Sequence, residues 1–236
     1  RKTSRHQTQN GMKDMKILAI VCHPSQDSMT WSVFRAFEEG LESILPDVEV
    51  DVLDLHADDF QPHFTTNDHD AFNSRGDLDE DIQEYQARVD QADALVFITP
   101  IYWWSVPAML KGWFDRVFTH GWAYDYDLEN GGKVVGKLRD RPVFVLSLGA
   151  TGQDGYERHG YDKAFKTQVE YGTLSYCGLT AIESHTFFSV MEPAYGGADP
   201  AGHLKKANAL GQEMAKKLKE LGSDAISQSE KTVEVT

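Results

Sequence analysis

The chain has 236 residues, 41% hydrophobic and 11% aromatic, which is the size and make-up of one α/β domain with a sizeable core. Its 37 acidic against 23 basic residues leave a formal charge of −14, which argues against nucleic acid or an anionic membrane as the main partner and otherwise describes an acidic surface. The two cysteines, Cys22 and Cys177, lack metal-ligand or CxxC spacing, no apolar run reaches the roughly 18 residues of a membrane span, and the N-terminal stretch lacks a signal peptide's apolar core; neither metal, disulfide nor membrane insertion is expected, and the setting is cytoplasmic.

Residues 1–14 are polar and rich in Lys, Arg, Gln and His, which reads as a disordered leader or a tag remnant ahead of Met15. From Ile17 to Val21 the chain is continuously apolar and short, so a first strand buried on both faces is expected. The turn-rich loop from Cys22 to Thr30 then leads into helical sequence over 31–45. Backbone amides and hydroxyls converge there at a helix N-terminus, where an anion such as a phosphate can sit. Neither GxGxxG nor GxxxxGK(S/T) is present, so a Rossmann dinucleotide site or a P-loop gives way to a phosphate loop that relies on hydroxyls. His23 as a structural residue, with Ser28 and Thr30 as simple caps, is the alternative.

A second strand is expected over 48–55, alternating as a sheet edge does, then a long acidic surface insertion over 60–80, a helix over 81–91 and a third strand over 92–98. The stretch TPIYWWSVPAMLKGWFDRVFTH, from Thr99 to His120, follows that strand directly. Its helix is expected to use Ser105 as N-cap with Pro107 in the first turn, and Val106, Met109, Leu110, Trp113, Phe114, Val117 and Phe118 recur at helical spacing. The preceding aromatics Tyr102, Trp103 and Trp104 either belong to the core or meet a flat ligand. Consecutive side chains cannot all face one way, so some of residues 101–104 point out of the core.

Beyond the helix, Trp122-Ala123-Tyr124-Asp125-Tyr126 leads into a flexible turn over 129–132. A fourth strand over 142–148 opens on Gly149-Ala150-Thr151-Gly152, whose glycines either let a backbone approach a ligand or form an ordinary loop. A helix over 163–177, a fifth strand over 180–190, a charged helix over 201–221 and a polar tail over 222–236 complete a chain with one domain, over 15–221. Strands 1, 3 and 4 each end in a loop before a helix. Right-handed crossovers bring such loops to one edge of a parallel sheet, which makes them one joint site.

These residues resemble the flavodoxin-like NAD(P)H:quinone oxidoreductases, the family of mammalian DT-diaphorase and of bacterial drug-activity modulator and potassium-efflux ancillary proteins. The resemblance covers residues 16–221 and is most specific in PxxWxxVPxxLKGWFDRVF, read from Pro100 to Phe118; AYDY, from Ala123 to Tyr126, and the loop with His23 and Ser28 also fit. It implies a flavodoxin-like α/β fold, a doubly wound five-stranded parallel sheet in the order 2-1-3-4-5 with helices on both faces. It also implies a flavin across the three loops, FAD with FMN as the alternative. His23, Ser28, Met29 and Thr30 would hold phosphates; Pro100, Ile101, Tyr102, Trp103 and Trp104 would flank the isoalloxazine; Gly149, Ala150, Thr151 and Gly152 would bond its pyrimidine edge.

By the same resemblance Tyr156 and His159 are the catalytic pair, stabilising the negative charge that hydride arrival pushes toward the flavin's N1 and O2. The spacing between the two is shorter here than in the mammalian enzymes. Relatives are homodimers with active sites at the subunit boundary, so Tyr124 and Tyr126, with Tyr176 nearby, would bind substrate over the partner's flavin. The implied activity is ping-pong: hydride passes from NADH or NADPH to flavin N5, and a quinone or similar acceptor then takes both electrons, with no metal. The likeness to efflux ancillary proteins, carried by Thr119 to Tyr124, supplies the alternative of a flavin-binding regulatory subunit docked on a membrane potassium-efflux transporter.

Overall fold

Strands that are buried almost throughout build the centre of the molecule, because each has a core on either side. β1 (Lys16–Val21), β3 (Ala94–Pro100) and β6 (Val143–Leu148) send alternate residues to opposite faces. Leu18, Ile20, Leu95, Phe97, Val143 and Val145 enter one core with α3 (Glu80–Gln91) and α4 (Ala108–Val117). Ile17, Ala19, Val21, Val96, Ile98, Phe144 and Leu146 enter the other with α1 (Met29–Ile44) and α7 (Pro200–Val233). Half-exposed strands β2 (Glu49–Asp54) and β7 (Ile182–Phe187) close the edges. All five pair in parallel in the order β2-β1-β3-β6-β7, which is the expected 2-1-3-4-5 arrangement with helices on both faces.

The computed structural model describes residues 15–129, 131–191 and 199–233, with side chains as far as 222; the leader over 1–14 and the end of the tail over 234–236 lie outside the described residues. Two glycines let α1 and α7 pack backbone to backbone. A Cβ on Gly40 would come within 2.0 Å of the Asn208 carbonyl oxygen, and one on Gly211 within 1.9 Å of that of Phe37.

Several local expectations are corrected. α4 starts at Ala108 with Pro107 at its N-cap, not at Ser105, because Ser105 and Tyr102 bond each other's backbone (2.9 and 3.1 Å) and keep that segment out of the helix. The acidic insertion holds a helix, α2 (Thr66–Phe72), closed by a capping box: the Thr65 amide donates to Asp68 Oδ2 (2.7 Å) and the Asp68 amide to Thr65 Oγ1 (3.1 Å). Asp68 also accepts from Arg116 Nε of α4 (2.9 Å), both side chains 3% exposed.

The turn over 129–132 belongs to a hairpin of β4 (Tyr124–Asp127) and β5 (Lys133–Gly136). An additional helix, α5 (Gln153–His159), follows the loop after β6, and in place of one helix over 163–177 the chain forms α6 (Tyr161–Lys166), a π-helical stretch Thr167–Leu174 and a 3₁₀ turn Ser175–Cys177. Gly160, at φ 71°, makes the break between α5 and α6. α7 continues through the segment read as a polar tail, to Val233. Among the described residues no helix is long and apolar enough to cross a membrane.

Candidate functional site

The chain leaves β1 to form β2 on one side and returns to form β3 on the other, so a crevice opens between the loops after β1 and β3 at the carboxyl edge. The first loop is held by ordinary local bonds. Ser28 caps α1, its Oγ accepting from the Trp31 amide (3.3 Å) and its carbonyl from that of Ser32 (3.0 Å). Trp31 Nε1 donates to the His23 carbonyl (3.4 Å) and Arg35 Nη2 to that of Gln26 (2.8 Å). His23 Nδ1 lies 3.0 Å from both the amide and the carbonyl oxygen of Ser25, accepting from the first in one tautomer and donating to the second in the other. With no acidic residue in the first turn of α1, the positive helix end is open to an anion.

The second loop, after β3, is strained. Trp103 and Trp104 take φ of 48° and 65°, a left-handed conformation that costs a non-glycine residue about 1–3 kcal/mol each. The Ile101 amide donates to the Leu148 carbonyl (2.8 Å), tying this loop to β6. Trp104 turns back and stacks on Tyr161, ring centroids 3.8 Å apart at 8°, with Tyr156 edge-on at 5.4 Å. Trp103 is left 93% exposed.

The third loop, 149–152, is tied to the end of β7: the Gly149 amide donates to the Phe187 carbonyl (2.9 Å), that of Val190 to Gly149 (3.1 Å), and that of Ser189 to Thr151 (3.0 Å). Gly149 is required by its neighbour, since a Cβ there would lie 2.7 Å from the Tyr156 hydroxyl. Tyr156 is buried among Trp104, Tyr161 and Phe188, and that burial raises its phenol above the ordinary value, so it stays a neutral donor. His159 is exposed on the last turn of α5, its ring tilted over Tyr161 at 5.4 Å.

These loops enclose a cavity of about 820 Å³ lined by His23, Met29, Thr30, Pro100, Ile101, Tyr102, Trp103 and Ala150 from the sequence-derived set, together with Leu148, Val190 and Met191. The last three escaped the sequence reading. Applying the strand-end rule to the fifth strand as well would have found Val190 and Met191. Ser28, Trp104, Gly149, Thr151, Gly152, Tyr156 and His159, also from the sequence-derived set, do not line it. Below the cavity Cys22 is fully buried and its thiol is pushed up to about 12 by that burial, which leaves it without nucleophilic character.

Tyr124, Tyr126 and Tyr176 form a cluster of their own. Tyr124 meets Tyr176 at 5.2 Å and Tyr126 at 6.1 Å, both edge-on, and His120 lies within 5.7 Å of Tyr124 and 5.3 Å of Tyr126. None of the three lines the 820 Å³ cavity of its own chain. Tyr124 instead borders a larger cavity, about 910 Å³, bounded by α2, α3 and α4. No loop following β1, β3 or β6 contributes to that cavity, so the smaller one, at the switch point of the sheet, is the candidate site.

A doubly wound sheet in this order, with its cavity at the β1/β3 switch point, defines a flavodoxin-like protein, and the family described as flavodoxin-like fold matches residues 15–221. The chain is similar to the ribosyldihydronicotinamide dehydrogenase (quinone) of Mus musculus, 30% identical over 200 residues that span 76% of this chain and 84% of the relative. It is 32% identical over 175 residues to an NAD(P)H oxidoreductase of Haemophilus influenzae, spanning 73% of this chain and 83% of that one. Among solved structures, the NAD(P)H:quinone oxidoreductase from Methanothermobacter marburgensis superposes with a TM-score of 0.76 at 26% identity, covering 85% of this chain and 98% of that one. The chain belongs to the flavodoxin-like NAD(P)H:quinone oxidoreductase family.

Proposed function

We propose that the chain is a flavin-dependent NAD(P)H:quinone oxidoreductase working by two-electron, ping-pong transfer, with FAD, or FMN in its place, as the bound flavin. The observation that carries this reading is the convergence of three strand-end loops on one cavity, with an open helix N-terminus at one end and an exposed indole at the other. The residues fit such a group. Met29 and Thr30, whose amides open α1, and the imidazole of His23 suit phosphates, while Ile101, Tyr102 and Trp103 offer apolar flanks to a ring. When bound, the flavin would accept hydride from NADH or NADPH and deliver two electrons to a quinone or similar small acceptor.

Tyr156, kept neutral by burial, sets its hydroxyl beside Gly149, where a donor stabilises charge developing on a neighbouring ring; His159, one turn along α5, is the second member of the pair. Tyr124, Tyr126 and Tyr176 stand outside the cavity wall of their own subunit, as residues serving a partner's site do. A homodimer with active sites at the subunit interface is therefore part of the proposal, as is a cytoplasmic setting without membrane insertion.

The test is the absorbance spectrum of the purified protein, followed by anaerobic NADH or NADPH, then a quinone, and chromatography of the released cofactor. The expected outcome is a yellow protein that bleaches with the nicotinamide and recovers with the quinone, the chromatogram separating FAD from FMN. A protein that neither holds nor reduces added flavin overturns the reading. In stopped flow, Tyr156→Phe is expected to slow flavin reduction about tenfold while leaving flavin retention unchanged, since its hydroxyl matters only as charge develops. Equal rates would remove that role.

A further inference from the structure

We infer that Tyr161 is the positioning residue that shapes the ring-facing wall of the site, acting through Trp104; the inference rests on the flavin reading above. Two consecutive tryptophans in left-handed backbone need support from outside their own loop. That support is the face-to-face stack of Trp104 on Tyr161, 3.8 Å and 8°. Tyr161 opens α6 directly after left-handed Gly160, so the chain reverses at that point and brings the phenol ring against the indole.

A second tether fixes the far end of the turn: Ser105 Oγ donates to Gln168 Oε1 (3.1 Å) in the π-helical stretch, an irregularity of the kind that gathers at functional sites. With Trp104 held from behind, Trp103 projects into solvent at the cavity wall. The same ring of Tyr161 meets Tyr156 edge-on at 6.1 Å and lies under His159 at 5.4 Å. One side chain thus braces the indole turn and the pair of donors on α5 together. The contacts are all made by the ring, so the hydroxyl of Tyr161 is dispensable.

The experiment uses the full chain labelled with ¹⁵N at the tryptophan indoles and stripped of flavin, as parent, Tyr161→Ala and Tyr161→Phe. The Trp104 resonance, identified by its loss in Trp104→Phe, is expected to move toward the free-indole position in Tyr161→Ala and to stay in place in Tyr161→Phe. The dissociation constant for added FAD or FMN is expected to rise about tenfold in Tyr161→Ala and to return to the parent value in Tyr161→Phe. An unmoved Trp104 resonance in Tyr161→Ala overturns the inference, and so does parent-like flavin affinity in that variant. A Tyr161→Phe variant as weak as Tyr161→Ala assigns the effect to the hydroxyl and overturns the stacking role. Should Tyr161→Ala not fold, Tyr161→Leu keeps apolar bulk without a stack and is read in the same way. If the parent itself binds no flavin, the functional reading fails on its own, and the indole resonance alone decides whether Tyr161 positions Trp104.

Discussion

The two loops that face each other across the cavity are held by different physics. The loop after β1 is assembled from bonds within a dozen residues: Ser28 to Trp31, Trp31 to His23, Arg35 to Gln26. Its backbone is unstrained, and its anion-binding character is a property of any capped helix N-terminus. The loop after β3 carries two tryptophans in left-handed backbone and is held by Tyr161 and Gln168, which lie some sixty residues further along the chain. The loop after β1 is therefore encoded locally, whereas the loop after β3 takes its form only once α6 has docked.

That contrast can be broken from either side. Alkaline pH attacks the root of the first loop and should have the largest effect. Folding raises the Cys22 thiol from 9.0 to about 12, so the folded state holds its proton where the unfolded chain has lost it. The stabilisation is complete below pH 9 and is lost at about 1.4 kcal/mol per unit as pH rises from 9 toward 12. Urea titrations at pH 8, 9.5 and 11 should show a steeper loss for the parent than for Cys22→Ala; equal slopes would refute it. Trp104→Ala removes the stack and leaves the positive φ in place, so a loss of about 2 kcal/mol is expected from thermal unfolding, together with reduced flavin occupancy after dialysis.

Ser28→Ala should cost about 1 kcal/mol, the usual worth of an N-cap, and Ser28→Asp should restore stability while weakening flavin binding, because the new carboxylate repels a phosphate. The smallest effect sharpens the comparison most. Trp103 is almost fully exposed, so Trp103→Gly loses little packing and relieves a strained φ; stability should rise by a few tenths to about 1 kcal/mol while flavin affinity falls. A fall in both would show that Trp103 is packed rather than presented.

How much was legible follows the range of the interactions. The central strands were readable because apolar runs such as residues 17–21 and 94–98 declare burial on both faces without reference to anything distant, whereas the order of the strands came from the family resemblance. The Thr65-x-x-Asp68 box of α2 was present as a signal but sits in a polar segment without helical periodicity; what makes the helix worthwhile is Arg116 arriving from α4. The β4–β5 hairpin escaped for a related reason. Its strands are short and half-exposed, and they are seated by contacts with residues 177 and 178, the Leu138 amide reaching the Cys177 carbonyl (2.9 Å) and Gly136 lying against Gly178.

By itself the sequence determined the strands and the edge at which their loops gather, and its resemblance to a known family supplied eight of the eleven residues that line the cavity there. Only the tertiary structure decided which of the two adjacent tryptophans faces the site. Trp103 and Trp104 have the same chemistry and neighbouring positions; a stack against Tyr161, invisible in any local window, turns one inward and leaves the other exposed at the cavity wall.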